Sequence, residues 1–206
     1  RMTCQCARAF QFASAASPQD FNMMSWVALF ASFGLLDCAP CRPNLYQVPI
    51  YTDGLLYRIP VESGSPPMHY EMMIDTGSTL TWLINPEAIC CPLAQSCNTT
   101  CKAYNRRLFN CSASSTCTEG YPQTPLLQQY GLGSVSVYMK RDLLYFGGAA
   151  RMSLMFGEAF EVVQPIFFFS SPYDGYLGLG WPLGFPGGSM VGTAQSRNES
   201  SFIIQL

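Results

Sequence analysis

The chain has 206 residues, 49% hydrophobic and 12% charged, which is enough apolar material for one sizeable core and too much for a disordered segment. Its formal net charge is −2 and its pI near 5.3, so it offers no basic stripe for nucleic acid and no acidic run that would trap cations; small neutral or peptide partners fit better. Ten cysteines beside a single histidine point to an oxidising compartment rather than to zinc.

In chain order, the first notable stretch is Phe21 to Leu36, which carries no charge and suits a signal-peptide core while being short for a membrane span. It ends near Asp37-Cys38-Ala39-Pro40, so residues 1–40 are expected to form a leader with a signal peptide at about 23–39. Translation is then expected to start at Met23 or Met24, leaving residues 1–22 upstream. Sequons at Asn98, Asn110 and Asn198 agree with glycosylation in the secretory pathway, with an extracellular, vacuolar or lysosome-like destination.

Beyond Pro43 the pattern turns to period two. Tyr57, Ile59 and Val61 alternate with Arg58, Pro60 and Glu62; a turn at Ser63-Gly64-Ser65-Pro66-Pro67 follows, and Tyr70, Met72 and Ile74 alternate with His69, Glu71 and Met73. This predicts a hairpin ending at Asp75. A strand over Leu80 to Ile84 comes next, and Asn85-Pro86 opens a segment at about 85–120 with little apolar periodicity. It carries Cys90, Cys91, Cys97, Cys101, Cys111 and Cys117, and reads as an insertion stapled by about three disulfides whose pairing stays open. Thr124 to Met139 reads as a second hairpin, with Gly131 and Gly133 supplying positive φ in its turn. Strands are predicted at Leu143–Phe146, Met152–Phe156 and Ile166–Phe169. With no helical pattern over three turns, no internal repeat and no membrane span, the chain is read as mostly β.

Ile74-Asp75-Thr76-Gly77-Ser78 sets a carboxylate directly after an apolar strand, in a turn where Gly77 lets the backbone close and two hydroxyls can bond inward. Such a triplet alone is an ordinary turn former. Three further segments occur with it: Gly64-Ser65-Pro66-Pro67 before it, Tyr130-Gly131-Leu132-Gly133-Ser134 after it, and Asp174-Gly175-Tyr176-Leu177-Gly178-Leu179-Gly180. In this order they resemble the lead-in, first catalytic loop, flap and packing segment of the pepsin-like aspartic proteases, over roughly Leu55 to Gln195.

The resemblance implies one lobe of the bilobal pepsin-like β-barrel fold, here the amino-terminal lobe over 41–206, with the carboxy-terminal lobe absent. It implies Asp75 as one catalytic aspartate, Thr76, Gly77 and Ser78 as its support, and Tyr130, Gly131, Gly133 and Ser134 as the flap, with Trp82 holding Tyr130. The cysteine-rich insertion is more like the nepenthesin-type branch than pepsin. Two departures stand out: Val137 occupies a flap position where glycine is usual, and the leader is unlike a typical inhibitory propeptide. The family's segment reads Asp-Gly-Ile-Leu-Gly-Leu-Gly where this chain has Tyr176.

The chemistry the family performs needs two facing carboxylates, one as general base on a water and one, protonated, polarising the scissile carbonyl. No second Asp-Thr-Gly or Asp-Ser-Gly occurs here, and Asp174 corresponds to a structural residue. The expected activity is an aspartic-type endopeptidase on peptide or protein substrates, without metal or organic cofactor, this chain alone being inactive. The alternatives are a catalytically silent protease-like binding or inhibitor protein and a one-lobe enzyme that dimerises. His69, the only histidine, lies opposite the apolar face of its strand and reads as a solvated residue rather than a general base, which argues against a histidine-based nucleophilic triad.

Overall fold

The computed structural model describes residues 9–14, 45–52, 54, 56–92, 97–147, 150–181, 190–196 and 201–205. The uncharged stretch 21–36, the expected start methionines and Asn198 lie outside them. The strands are β1 (Ala9–Ser14), β2 (Leu45–Thr52), β3 (Tyr57–Ser63), β4 (Met68–Asp75), β5 (Trp82–Pro92), β6 (Thr99–Thr100), β7 (Thr118–Glu119), β8 (Leu126–Gln129), β9 (Ser134–Phe146), β10 (Ala150–Gln164), β11 (Gly175–Gly178) and β12 (Ser201–Gln205). Two short helices, α1 (Ile166–Ser170) and α2 (Met190–Ser196), interrupt them. The fold is mostly β, as one lobe of the pepsin-like fold requires.

The sheet runs β12-β1-β2-β3-β4-β11-β5-β10-β9-β7, and an additional pairing of β3 with β9, Val61 opposite Phe146, closes six of these strands into a barrel. Closure removes the open edges that would otherwise be left along β3 and β9. Alternation in the strands sorts side chains to two sides. Ile59, Val61, Tyr70, Met72, Leu83, Phe146, Phe156 and Leu177 fill one cluster, while Met73, Trp82, Ile84, Val137, Phe168 and Tyr176 fill a second. Neighbours in sequence such as Met72 and Met73, or Tyr176 and Leu177, therefore enter different clusters.

The hairpin 57–75 forms in the expected register, Arg58 opposite Met73 and Ser63 opposite Met68. Met73, read as lying on the polar side, is buried, because that face of β4 is covered by the second cluster rather than by water.

Other expectations need correction. β5 does not stop at Ile84 but runs through Asn85-Pro86 to Pro92; Asn85 Oδ1 accepts the Glu87 N–H at 2.7 Å, and the ladder to β10 skips from Ile84 to Ile89. The break read from Asn-Pro is a bulge inside one strand. Leu143–Phe146 is the end of β9, and Met152–Phe156 the middle of β10. Ile166–Phe169, expected as a strand, is α1, whose Phe168 N–H bonds the Pro165 carbonyl at 3.0 Å. Only Gly133 of the two flap-turn glycines has positive φ, at 91°.

The cysteine-rich segment carries Cys90–Cys101, Cys91–Cys97 and Cys111–Cys117 disulfides. It is not wholly without a core. Phe109 is buried against Phe156 and Tyr70, and its N–H bonds the Ile84 carbonyl at 2.7 Å. Asn98 and Asn110 are exposed, and the Asn110 side chain accepts the Ser112 N–H. Among the described residues no helix is long and apolar enough to cross a membrane.

Candidate active site

Asp75 ends β4 and is half-buried; its Oδ1 accepts the Gly77 N–H at 2.8 Å. A carboxylate bonded to the backbone two residues on is the Asx turn that Asp-x-Gly encourages. What distinguishes this turn is the strand behind it. β11 runs parallel to β4 with Gly178 opposite Asp75, the Leu179 N–H bonds the Asp75 carbonyl at 2.8 Å, and the Gly180 N–H bonds the Ser78 carbonyl at 2.8 Å. Thr81, fully buried, accepts the Gly178 N–H at 3.2 Å. The loop is thus braced on its inner side by main-chain bonds from residues a hundred positions away.

This approach depends on glycine. A Cβ on Gly178 would meet the Thr79 carbonyl carbon at 2.6 Å, and one on Gly175 the Trp82 carbonyl oxygen at 2.1 Å. The glycines of Asp174–Gly180 serve backbone packing.

The hairpin expected as the flap is β8–β9, Leu126 opposite Val137 and Gln129 opposite Ser134, closed by the Tyr130 N–H to the Gly133 carbonyl at 3.0 Å. Gly133 lies hard against β10, where a Cβ would meet the Val163 carbonyl oxygen at 2.0 Å. Val137 is accommodated by an exchange: Gly157 of β10 faces it, and a Cβ there would meet the Val137 side chain at 2.8 Å. Bulk missing from β10 makes room for the bulk added to the flap strand.

Trp82 joins flap to barrel. Its buried indole N–H donates to the Tyr130 hydroxyl at 2.8 Å, and its ring stacks on Tyr176 with centroids 4.8 Å apart. Burial pushes the Tyr130 phenol well above its usual range; the Trp82 bond works against this and the nearby Asp75 charge adds to it. Tyr176 is shifted upward for the same first reason, with Tyr130 and Asp75 contributing. Both phenols are therefore neutral donors in the same neighbourhood as Asp75.

The structure brings together Asp75, Gly77, Ser78, Trp82 and Tyr130. Ser78 is buried near the Tyr130 hydroxyl without a well-aligned bond, and Thr76 is exposed, so the only donor on the carboxylate among the described residues is Gly77. Gly131, Ser134 and Leu132 lie in the flap turn, Gly131 and Leu132 exposed. His69 is exposed beside Glu62 at 3.1 Å, away from this group. Tyr176, Phe168 and Thr81 went unremarked as site residues. The signal was present for Tyr176, which occupies an aliphatic position of the family's segment.

The eukaryotic aspartyl protease family matches residues 56–196, well over half the chain. The chain belongs to that family. Among its relatives, Aspartic protease 1 of Caenorhabditis elegans is 35% identical over 120 residues, 58% of this chain and 28% of that protein. Renin of Canis lupus familiaris is 33% identical over 125 residues, 61% of this chain and 28% of that protein. Cathepsin D of Gallus gallus is 31% identical over 162 residues, 77% and 37% respectively. The chain thus spans between 28% and 37% of the length of these relatives.

Proposed function

We propose that this chain is the amino-terminal lobe of a secretory-pathway aspartic endopeptidase and that Asp75 is one half of its catalytic pair. The observation carrying this reading is the braced Asp75 loop lying beneath a hairpin whose Tyr130 is held by Trp82. A carboxylate fixed from behind by main-chain bonds and open in front can meet a second carboxylate across a cleft. One of the pair takes a proton from water as that water attacks the scissile carbonyl, and the other, protonated, donates to the carbonyl oxygen. The flap's exposed turn can pair with an extended peptide over the pair.

The second aspartate would come from a carboxy-terminal lobe outside these 206 residues, which the greater length of the relatives supports. Residues 1–40 would be a leader with signal peptide at about 23–39, and 85–120 an insertion of the mature lobe. Asn98 and Asn110, exposed and in sequons, would carry glycans, and Asn198 also. Peptides or proteins would be the substrates and an extracellular, vacuolar or lysosome-like compartment the site of action.

The test is peptidase activity of the full-length protein at acid pH against its Asp75→Asn variant. Activity is expected to fall at least about a thousandfold with the unfolding temperature unchanged. An unchanged rate would remove Asp75 from catalysis, and an inactive wild type that binds peptide would favour the silent binding-protein reading.

A further inference from the structure

On a face that includes neither Asp75, Trp82 nor Tyr130, a cleft of about 440 Å³ opens between the cysteine-rich segment and the turn after α1. That volume falls in the range of small-ligand sites. Its charged lining is Arg58, Glu71, Arg106, Arg107 and Asp174. Two of the three guanidiniums are matched inside the cleft: Arg58 to Glu71 at 2.7 Å, and Arg107 to Asp174 at 3.5 Å. Asp174 is further occupied by the N–H groups of Glu71 and Arg107, at 2.8 and 2.9 Å.

Arg106 is left over. Among the described residues its guanidinium forms no ion pair; one nitrogen donates to the Phe168 carbonyl, the plane lies 4.6 Å from the Phe168 ring centroid, and the other terminal nitrogen is buried with no hydrogen-bond partner. Burial pushes this group down to about 10, with the Asp174 charge the largest opposing influence. A buried cationic donor without a partner is costly, and a carboxylate in the cleft that drew the Arg106 head outward would remove that cost while forming a charge-assisted bond.

We propose that this cleft is a binding subsite for a carboxylate, carried as an acidic side chain on a bound peptide and received by Arg106. Three positive and two negative groups leave the cleft one positive charge in excess, which a monoanionic carboxylate neutralises and a phosphate dianion overfills. The neighbouring Asn105, exposed and in the left-handed region at φ 52°, lies at the cleft wall and can be changed without touching the core. The subsite goes beyond the peptidase reading: its lining includes neither Asp75, Trp82 nor Tyr130, and it meets their group only through Phe168, on whose ring Arg106 lies.

Calorimetric titration of the full oxidised chain with acetyl-Gly-Glu-Gly-amide tests it, with acetyl-Gly-Gln-Gly-amide and inorganic phosphate as parallel arms. The glutamate peptide is expected to saturate the protein, with the glutamine peptide and phosphate each about tenfold weaker or more. Arg106→Gln is expected to weaken glutamate-peptide binding about tenfold, and Asn105→Asp to weaken it severalfold by adding a negative charge at the wall. The Asn105→Asp arm decides the matter should Arg106→Gln fail to fold. No glutamate-peptide binding, equal binding of the two peptides, phosphate binding as tight as the glutamate peptide, or folded variants that bind as the wild type does would each overturn the proposal.

Discussion

The crossing of β4, β11 and β5 beneath Asp75 and the segment from Cys90 to Cys117 are stabilised by opposite means. Among the described residues no disulfide joins the three strands of the crossing to one another; it is held by main-chain bonds and by glycines that allow backbones to touch. The cysteine-rich segment adds only a few side chains to the core, Phe109 foremost, and carries three disulfides. Close backbone contact tolerates no added atom but positions a loop tightly, whereas a cross-link tolerates variation around it and fixes little beyond its ends. The carboxylate sits on the first kind of support and the cysteine-rich segment on the second.

The contrast can be broken most directly at Gly175. Alanine there sets a methyl against the Trp82 carbonyl, which cannot move without shifting β5, and is expected to cost about 4 kcal/mol of unfolding free energy. A loss under about 1 kcal/mol in denaturant titration would mean that the crossing is not tight. Replacing Cys90 and Cys101 together by alanine is expected to cost about 3 kcal/mol, largely by freeing the unfolded chain. Cys90 lies on β5 and is buried with Cys101 in the same cluster as Trp82, so the near-ultraviolet signal of Trp82 in that variant separates two outcomes: a signal that persists shows the crossing to stand without the disulfide, and its loss shows the two regions to be one unit.

Gly157→Ala sharpens the comparison within the flap. Its methyl would meet Val137, a side chain rather than backbone, and the cost is expected to be about 2 kcal/mol. Val137→Ala on the same background should recover part of it, and a double variant no more stable than Gly157→Ala alone would discount the exchange between the two strands.

The smallest effect concerns acid. Burial raises the Asp174 carboxyl above 3.8, against the opposing bonds from Glu71 and Arg107. The folded chain then holds this proton more tightly than the unfolded chain. The stability contributed by Asp174 is full below pH 3.8 and is lost as pH rises through its raised folded value. Measured against pH, wild-type stability minus that of Asp174→Asn should fall across this window; a difference that rises would reverse the assignment.

Much of this architecture was legible. Period-two alternation located β3 and β4, because one face of each is covered and the other less so, and the glycine turn located the β8–β9 hairpin. The Asp75 loop, Tyr130 and Trp82 were legible through motif order, and the Trp82–Tyr130 bond has the expected partners. Legibility failed where tertiary contacts override local cues. Phe167-Phe168-Phe169 has strand-like composition, yet Phe168 fits between Trp82, Tyr173 and Tyr176 as part of a single helical turn. Asn85-Pro86 looked like a stop, but a bulge absorbs it because Cys90 to Pro92 can still pair with Val162 to Gln164. Arg106 gave no sign in the sequence, since its isolation depends on Arg58 finding Glu71 across the β3–β4 hairpin and on Arg107 finding Asp174, 67 positions away.

The brace behind Asp75 also sets an order of events during synthesis. The Asp75 carbonyl waits for the N–H of Leu179, and β4 for its parallel neighbour Gly175–Gly178, about a hundred residues downstream. At ordinary elongation rates that interval is roughly 5 to 20 s. A nascent chain halted before Gly175 therefore displays the Asp-Thr-Gly turn as a pliable hairpin end, and the loop acquires its final shape only when the ribosome has passed the last glycine of the segment.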